Sequence, residues 1–260
     1  MQRIPVIVDP VQFPDSFRLL LQGSAVYNSS CSQFAKVYYI DRDGGYYLKT
    51  MPKGALRREA EMTRYYHSKG LSAAVLAYES LDADWLLTRR VSGEDCIFPA
   101  YLEDPCRLAA SLGELLRMLH DTDSKECPVD RTTEYLAAAA RNYYDQSYDE
   151  SLFPDNWGYA SAKEAWRVVE ENGKNLASDV LLHGDYCLPN VILDNWRFSG
   201  FIDLDAAGMG DRHIDLFWGI WSLSFNLKTD RYRDRFLDAY GRDKVNEDVF
   251  PIIAACEVFG

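Results

Sequence analysis

Residues 180–205 read VLLHGDYCLPNVILDNWRFSGFIDLD, and this stretch carries the most specific pattern of the chain. An apolar strand leads into a polar loop, and two further short strands follow, joined by a tight turn. Such a hairpin returns the chain, so that Asp203 at its end approaches Asn190 at its start. We expect the oxygen-bearing side chains of Asp185, Asn190 and Asp203 to converge at one mouth.

These three side chains suit a hard cation. Mg²⁺ prefers one or two carboxylates, amide oxygens, water and phosphate oxygens as ligands. Phosphoryl transfer also needs an acceptor for the proton of the nucleophile and compensation of charge on the transferred group. Asp185 can be that acceptor, and a metal ion held by Asn190 and Asp203 can help to compensate the charge. Each residue alone is more often structural, but their combination at this spacing favours catalysis.

The chain on either side of this stretch changes its pattern. Residues 1–91 hold strand-like runs around one good helix at 55–69, with a hairpin turn signal at 42–45. Beyond them the pattern is mostly helical, as in the apolar i, i+3, i+4 stripe of 105–121. We therefore predict an α+β fold with a β-rich N-terminal lobe at 1–91 and a larger helical C-terminal lobe at 92–260.

Further strands and helices are predicted in both lobes. In the N-terminal lobe the predicted strands are 25–27, 34–41, 46–51, 75–80 and 85–90. Besides 55–69 and 105–121, the predicted helices are 13–22, 132–144, 160–171, 213–227, 230–240 and 247–259.

Charge is distributed unevenly along the 260 residues. The net charge of −12 divides into +3 over residues 1–91 and −15 over residues 92–260. An acidic field of this size argues against nucleic acid and favours cationic ligands. No run of apolar residues is long enough for a membrane span, and the N-terminus lacks the apolar core of a signal peptide. With scattered cysteines and no coiled-coil pattern, we expect a cytoplasmic monomer that binds neither membrane nor nucleic acid.

Three motifs together resemble one family. The segments HGDYCLPN at 183–190, SGFID at 199–203 and DRHID at 211–215 closely resemble those of the aminoglycoside 3′-phosphotransferases, the kanamycin and neomycin kinases. The resemblance covers nearly the whole chain and implies a two-lobed, protein-kinase-like fold. It implies ATP and Mg²⁺ as cofactors, and direct in-line transfer to the 3′-hydroxyl of an aminoglycoside antibiotic, which confers resistance.

The resemblance also implies roles for the residues of the loop and hairpin. Asp185 matches the catalytic aspartate, and Asn190 and Asp203 match the Mg²⁺ ligands. His183 is expected to support the loop, and Asp215 to fix it through backbone contacts.

For the nucleotide, the resemblance points to the N-terminal lobe. Lys49 matches the lysine that holds the ATP α- and β-phosphates, and Glu59 matches its helix partner, with Glu61 as the alternative. The phosphate loop has no glycine-rich motif, so backbone amides and hydroxyls of a serine group are expected to contact phosphate. That group is Ser29, Ser30 and Ser32. Arg89 and Val91 belong to the expected hinge, where backbone groups would hold adenine.

For the cationic aminoglycoside, the resemblance points to carboxylates of the C-terminal lobe. Asp155 lies in an acidic segment similar to one that binds substrate, and Glu257 matches a glutamate of the terminal helix. The terminal carboxylate is expected at Gly260, one residue later than in the family. The family's arginine shortly after the metal-binding aspartate is replaced by Asp205-Ala206, and its acid before Glu257 by Cys256. These differences affect the expected efficiency and antibiotic range.

Two other functions remain open at this point. One is a kinase of the same fold that acts on an amino alcohol, a sugar or a macrolide. The other is a non-catalytic nucleotide-binding pseudokinase, which the missing arginine would favour and the presence of Lys49, Asp185, Asn190 and Asp203 opposes.

Overall fold

The structure, a computed structural model, describes residues 3–31, 34–153 and 157–260. Contacts divide the chain into two compact units. The first unit comprises residues 1–98 and 189–205, and the second comprises residues 99–188 and 206–260. The first unit therefore extends past residue 91 and also includes the hairpin that ends at Asp203.

An antiparallel sheet forms most of the first unit. Its strands are β1 (Ile4–Pro5), β2 (Ala25–Asn28), β3 (Lys36–Asp41), β4 (Tyr46–Pro52), β5 (Val75–Ser80) and β6 (Ala83–Arg89), in the spatial order β1-β2-β3-β4-β6-β5. Helix α1 (Asp15–Leu21) buries Phe17 and Leu21 against Ile40 and Leu48 on one face of this sheet. The helix begins at Asp15 and not at the predicted residue 13, because Phe13 and Pro14 have non-helical ψ angles of 155° and 146°.

Helix α2 (Arg57–Ser68) follows β4 and carries the glutamate predicted to pair with Lys49. Its start is held by Asp84, whose buried carboxylate accepts a hydrogen bond from the backbone nitrogen of Leu56 at 2.9 Å. Leu56 and Ala60 then pack on Leu86 of β6, which fixes the helix against the sheet.

The decisive hairpin belongs to a small second sheet in the same unit. Its strands are β7 (Glu94–Asp95), β9 (Val191–Asp194) and β10 (Arg197–Phe201), in the order β10-β9-β7. Asn195 and Trp196 have φ values of 51° and 68°, as a two-residue primed hairpin turn requires. The backbone nitrogen of Ile202 donates to Asn190 O at 3.1 Å, so the predicted return of the chain is confirmed.

The second unit is mainly helical. Its helices are α3 (Pro99–Leu102), α4 (Pro105–His120), α5 (Arg131–Tyr144), α6 (Ala162–Asn172), α7 (Arg212–Leu227), α8 (Arg233–Tyr240) and α9 (Phe250–Glu257). A core of side chains from α5, α6, α7 and α9 includes Tyr135, Ala165, Ile214 and Ile253. None of the helices within the described ranges is long and apolar enough to cross a membrane.

One strand pair of the second unit was not predicted. Strand β8 (Val180–Leu182) pairs antiparallel with β11 (Gly208–Gly210), whose Gly-Met-Gly sequence carries little strand signal. The predicted α+β class, with strands concentrated in the N-terminal part and helices in the C-terminal part, is confirmed.

Candidate active site

Lys49 lies on the face of β4 opposite the core of the first unit. Successive side chains of a strand alternate between faces, so Leu48 is fully buried while Lys49 points the other way. Its Nζ lies 2.7 Å from Glu59 Oε2 and 2.8 Å from Asp203 Oδ1. One ammonium therefore joins the sheet, helix α2 and the end of the hairpin.

Negative groups outnumber positive ones in this cluster, because two carboxylates share one ammonium. Burial lowers the pKa of Lys49, but Glu59 and Asp203 outweigh that effect and the net shift is upward. Burial also raises the pKa of Glu59, which Lys49 lowers only in part and the neighbouring Asp203 raises further. An anion that binds Lys49, or a cation that binds one of the two carboxylates, would therefore replace an ion pair of this cluster.

A cavity of about 550 Å³ in the first unit contains the cluster. It is lined by most of the residues predicted to bind nucleotide and metal, namely Ser29, Lys49, Glu59, Arg89, Val91, Asn190 and Asp203. Their functions stay predictions, but a single cavity brings them together.

One of the predicted serines is placed differently, and another is not described. Ser30 is not among the described residues that line the cavity, and its Oγ accepts a hydrogen bond from Val37 N at 2.9 Å. It stabilises the loop between β2 and β3. Ser32 lies outside the described residues.

The same cavity contains residues that sequence analysis missed. Tyr47 lines it, as its spacing two residues before Lys49 on one strand could have indicated. Arg3 also lines it, with its guanidinium carbon 3.8 Å from the ring centroid of Tyr39, and its Nη2 donates to Tyr47 Oη at 3.3 Å. No local pattern marks Arg3, which reaches the cavity because β1 pairs with β2.

Asp205 stands in the region where the family's arginine is expected, shortly after Asp203. Leu204 is fully buried, and the charge of Asp205 further raises the pKa of Glu59. Cationic side chains reach the cavity from elsewhere in the first unit, at Arg3, Arg89 and Arg90. The cavity is therefore not deprived of positive charge.

Asn190 and Asp203 supply the donor set expected for Mg²⁺. Asn190 ends a 3-10 turn directly before β9, and Asp203 follows β10 with a φ of 60°. This left-handed conformation is unfavourable for a non-glycine residue by about 1–2 kcal/mol. The ion pair with Lys49 helps to hold it. One carboxylate and one amide oxygen fit an ion that takes its other ligands from phosphate and water.

Asp185 belongs to the second unit, where side chains of α7 anchor the loop that carries it. Asp215 of α7 accepts hydrogen bonds from His183 N and Gly184 N, both at 2.7 Å, as expected from the sequence. Ser222, two turns further along the same face of α7, accepts another from Leu188 N at 2.9 Å. The loop that carries the partly buried Asp185 is thus fixed through its backbone.

A second cavity, of about 370 Å³, opens beside Asp185 in the second unit. Two further predicted residues, Glu257 and Gly260, line it. Burial raises the pKa of Glu257 to about 7. The sequence analysis missed Arg131, Tyr135 and Trp218, which also line this cavity.

Two predicted features are left without a structural answer. Asp155 lies outside the described residues. The convergence of Asp185 with Asn190 and Asp203 stays a prediction, because Asp185 belongs to the second unit and the other two to the first.

Comparison with known proteins identifies the class of this fold. A solved aminoglycoside 3′-phosphotransferase of type VIII superposes with a TM-score of 0.72 at 24% identity, over 99% of this chain and 94% of that one. An aminoglycoside phosphotransferase from Streptomyces rimosus, solved with ADP and streptomycin, gives a TM-score of 0.68 at 21% identity, covering 85% of this chain and 90% of that one. The predicted protein-kinase-like fold is confirmed.

Sequence comparison defines the family. A model described as the phosphotransferase enzyme family matches residues 30–250. A protein of Lactococcus lactis subsp. lactis (strain IL1403), named as a probable aminoglycoside 3′-phosphotransferase, is 45% identical over 96% of this chain and 95% of its own length. An aminoglycoside 3′-phosphotransferase of Niallia circulans is 32% identical over 64% of this chain and 63% of its own. The chain belongs to the phosphotransferase enzyme family, among the relatives of the aminoglycoside 3′-phosphotransferases, as its motifs predicted.

Proposed function

We propose that this protein is an ATP- and Mg²⁺-dependent phosphotransferase that modifies the 3′-hydroxyl of aminoglycosides and thereby confers resistance. The observation that carries the proposal is the Lys49–Glu59–Asp203 cluster in a cavity that also contains Asn190. The 3′ position is supported by the relative from Lactococcus lactis, which is 45% identical over nearly its full length.

The residues of the first unit would hold the nucleotide. The Lys49 ammonium would bind phosphate oxygens, and Glu59 would keep that ammonium in place. Asn190 and Asp203 would hold Mg²⁺, which when bound compensates negative charge on the phosphates. Arg89 and Val91 would border the adenine.

The second unit would hold the acceptor. Asp185 would orient the 3′-hydroxyl and accept its proton as the oxygen attacks the γ-phosphorus in line with the departing ADP. Glu257, Gly260 and Asp155 would bind the ammonium groups of the substrate, in agreement with the charge of −15 over residues 92–260. We also propose that the protein is a cytoplasmic monomer without nucleic-acid or membrane partners.

Coupled ADP release with MgATP, measured for kanamycin and tobramycin side by side, tests this function. Tobramycin lacks the 3′-hydroxyl, so we expect turnover with kanamycin alone. Turnover with both antibiotics would contradict the 3′ position but keep the kinase. Turnover with neither would contradict the aminoglycoside substrate and direct attention to amino alcohols, sugars and macrolides.

A further inference from the structure

Glu257 is held by two donors on a single oxygen. Tyr135 Oη donates to Glu257 Oε1 at 2.6 Å, and Trp218 Nε1 donates to the same oxygen at 3.1 Å. The other carboxylate oxygen, Oε2, makes no hydrogen bond to any residue of the described ranges. Since Glu257 lines the cavity beside Asp185, this carboxylate has one tethered oxygen and one available oxygen.

Both donors are themselves fixed. Tyr135 lies on α5 and is only 6% exposed. Trp218 lies on α7, and its ring packs edge-on against Trp157 and Trp221, with centroids 6.2 and 5.4 Å away. Glu257 on α9 therefore cannot rotate its carboxylate without breaking both hydrogen bonds. Three helices that are distant in sequence define its orientation.

The charges around Glu257 are mixed. Arg131 and Asp185 line the same cavity, and Cys256 precedes Glu257 on α9. Burial raises the pKa of Glu257 to about 7, the two donors and Arg131 lower it, and Asp185 raises it. Burial and the charge of Glu257 raise the pKa of Tyr135 well above its usual value, so this hydroxyl remains a donor at neutral pH.

We propose that Tyr135 and Trp218 are positioning residues that tether Oε1 of Glu257 and so direct its second oxygen at an ammonium group of the substrate. This inference rests on the proposed function, in which the substrate is a polycation. The ammonium selects the ionised carboxylate, so that binding below neutral pH releases the carboxyl proton of Glu257 to solvent. No covalent bond is formed or broken in this step.

The Tyr135→Phe and Trp218→Phe variants test the inference through the pH dependence of kcat/KM with kanamycin. Loss of a donor to a carboxylate disfavours the ionised form. We expect the acid limb, with a midpoint of about 7 in the wild type, to move to higher pH. We also expect KM at pH 7 to rise about tenfold while kcat changes less than about twofold, in line with the loss of one charged hydrogen bond.

The matched control is Tyr143→Phe on the same helix, since the Tyr143 hydroxyl makes no hydrogen bond to any described residue. It should leave both KM and the midpoint unchanged. Should Tyr135→Phe not fold, Trp218→Phe gives the same readout from another helix.

The possible failures are distinguishable. Wild-type turnover combined with an unmoved midpoint in both variants would overturn the inference alone, even if their melting temperatures fall. Absence of aminoglycoside turnover by the wild type would overturn the proposed function and the inference with it.

Discussion

Asp215 Oδ1 accepts a hydrogen bond from the backbone nitrogen of Gly184, 2.7 Å away, one residue before Asp185. Its second oxygen accepts from His183 N at 2.7 Å and lies 3.2 Å from His120 Nε2. Asp215 is completely buried. A carboxylate remote from solvent thus sets the backbone from which Asp185 projects.

Replacement of Asp215 by Asn tests this relationship. An amide keeps one acceptor oxygen, so one backbone N–H of the loop would lose its partner at a cost of about 1–3 kcal/mol. We expect a loss of stability of this size and a fall in kcat of about tenfold or more. Chemical denaturation and steady-state kinetics measure the two effects. Asp234→Asn, at an exposed carboxylate paired with Arg242, is the control, and equal kcat values for the two variants would contradict the assignment.

Gly184 gives a second prediction, because its conformation leaves no room for a side chain. It has a φ of +82°, and an added Cβ would collide with the carbonyl oxygen of Ala206. We expect Gly184→Ala to lower the melting temperature and to abolish turnover, as the loop must shift. Gly54→Ala is the matched control, with a φ of +88° but open space around the added Cβ. This control measures the backbone strain alone, about 1–2 kcal/mol. An equal loss of melting temperature and turnover in both variants would argue against the steric explanation.

Lys49→Met should weaken nucleotide binding. The variant removes the cation shared by Glu59 and Asp203 and leaves two carboxylates facing the cavity where phosphates would bind. We expect the Kd for MgATP, measured by isothermal titration calorimetry, to rise at least about tenfold, as the loss of a charged hydrogen bond implies. Lys53→Met, at an exposed position just beyond β4, should bind MgATP like the wild type. Unchanged affinity in Lys49→Met would remove Lys49 from the nucleotide site.

Asp203→Asn should change the requirement for Mg²⁺. The carboxylate would lose its charge, and neutral amides are weaker ligands for this ion. We expect the free Mg²⁺ concentration that gives half-maximal turnover to rise about tenfold, which corresponds to about 1.4 kcal/mol. Asp194→Asn, an exposed carboxylate on the same hairpin, serves as control. Coincident Mg²⁺ titrations of the two variants would show that Asp203 is not a ligand.

MgATP binding should also appear as thermal stabilisation. A ligand that binds only the folded state stabilises it by about 2.7 kcal/mol at a hundredfold excess over its Kd. We expect millimolar MgATP to raise the melting temperature of the wild type, and to raise that of Lys49→Met less. An unchanged melting temperature of the wild type in MgATP would contradict a kinase function of any kind.

Much of the fold could be predicted because its signals are local. The turn at 194–197, the strand signal of β4 and the apolar stripe of α4 each depend on neighbouring residues, and the structure contains all three elements. β11 was missed because Gly-Met-Gly becomes a strand only by pairing with β8. The grouping of residues 189–205 with the N-terminal unit depends on pairing of β7 with β9, residues about a hundred positions apart.

The site shows the same division. Lys49, Glu59, Asn190 and Asp203 stand in or beside recognisable motifs, and one cavity contains them all. Tyr135 and Arg3 carry no motif, and their positions depend on contacts with residues distant in sequence, as between Tyr135 and Glu257. Sequence patterns identify residues that chemistry requires, but they do not reveal which aromatic or cationic side chains surround them.

The product of a reaction with MgATP and kanamycin tests the proposed transfer to the 3′-hydroxyl. Phosphorus–proton correlation NMR of the purified product locates the transferred phosphoryl group. We expect a single phosphate ester at O3′ with wild-type protein, and no product with Asp185→Asn, whose MgATP affinity should remain nearly intact. A phosphate at another oxygen would contradict transfer to the 3′-hydroxyl, and full product formation by Asp185→Asn would contradict the catalytic role of Asp185.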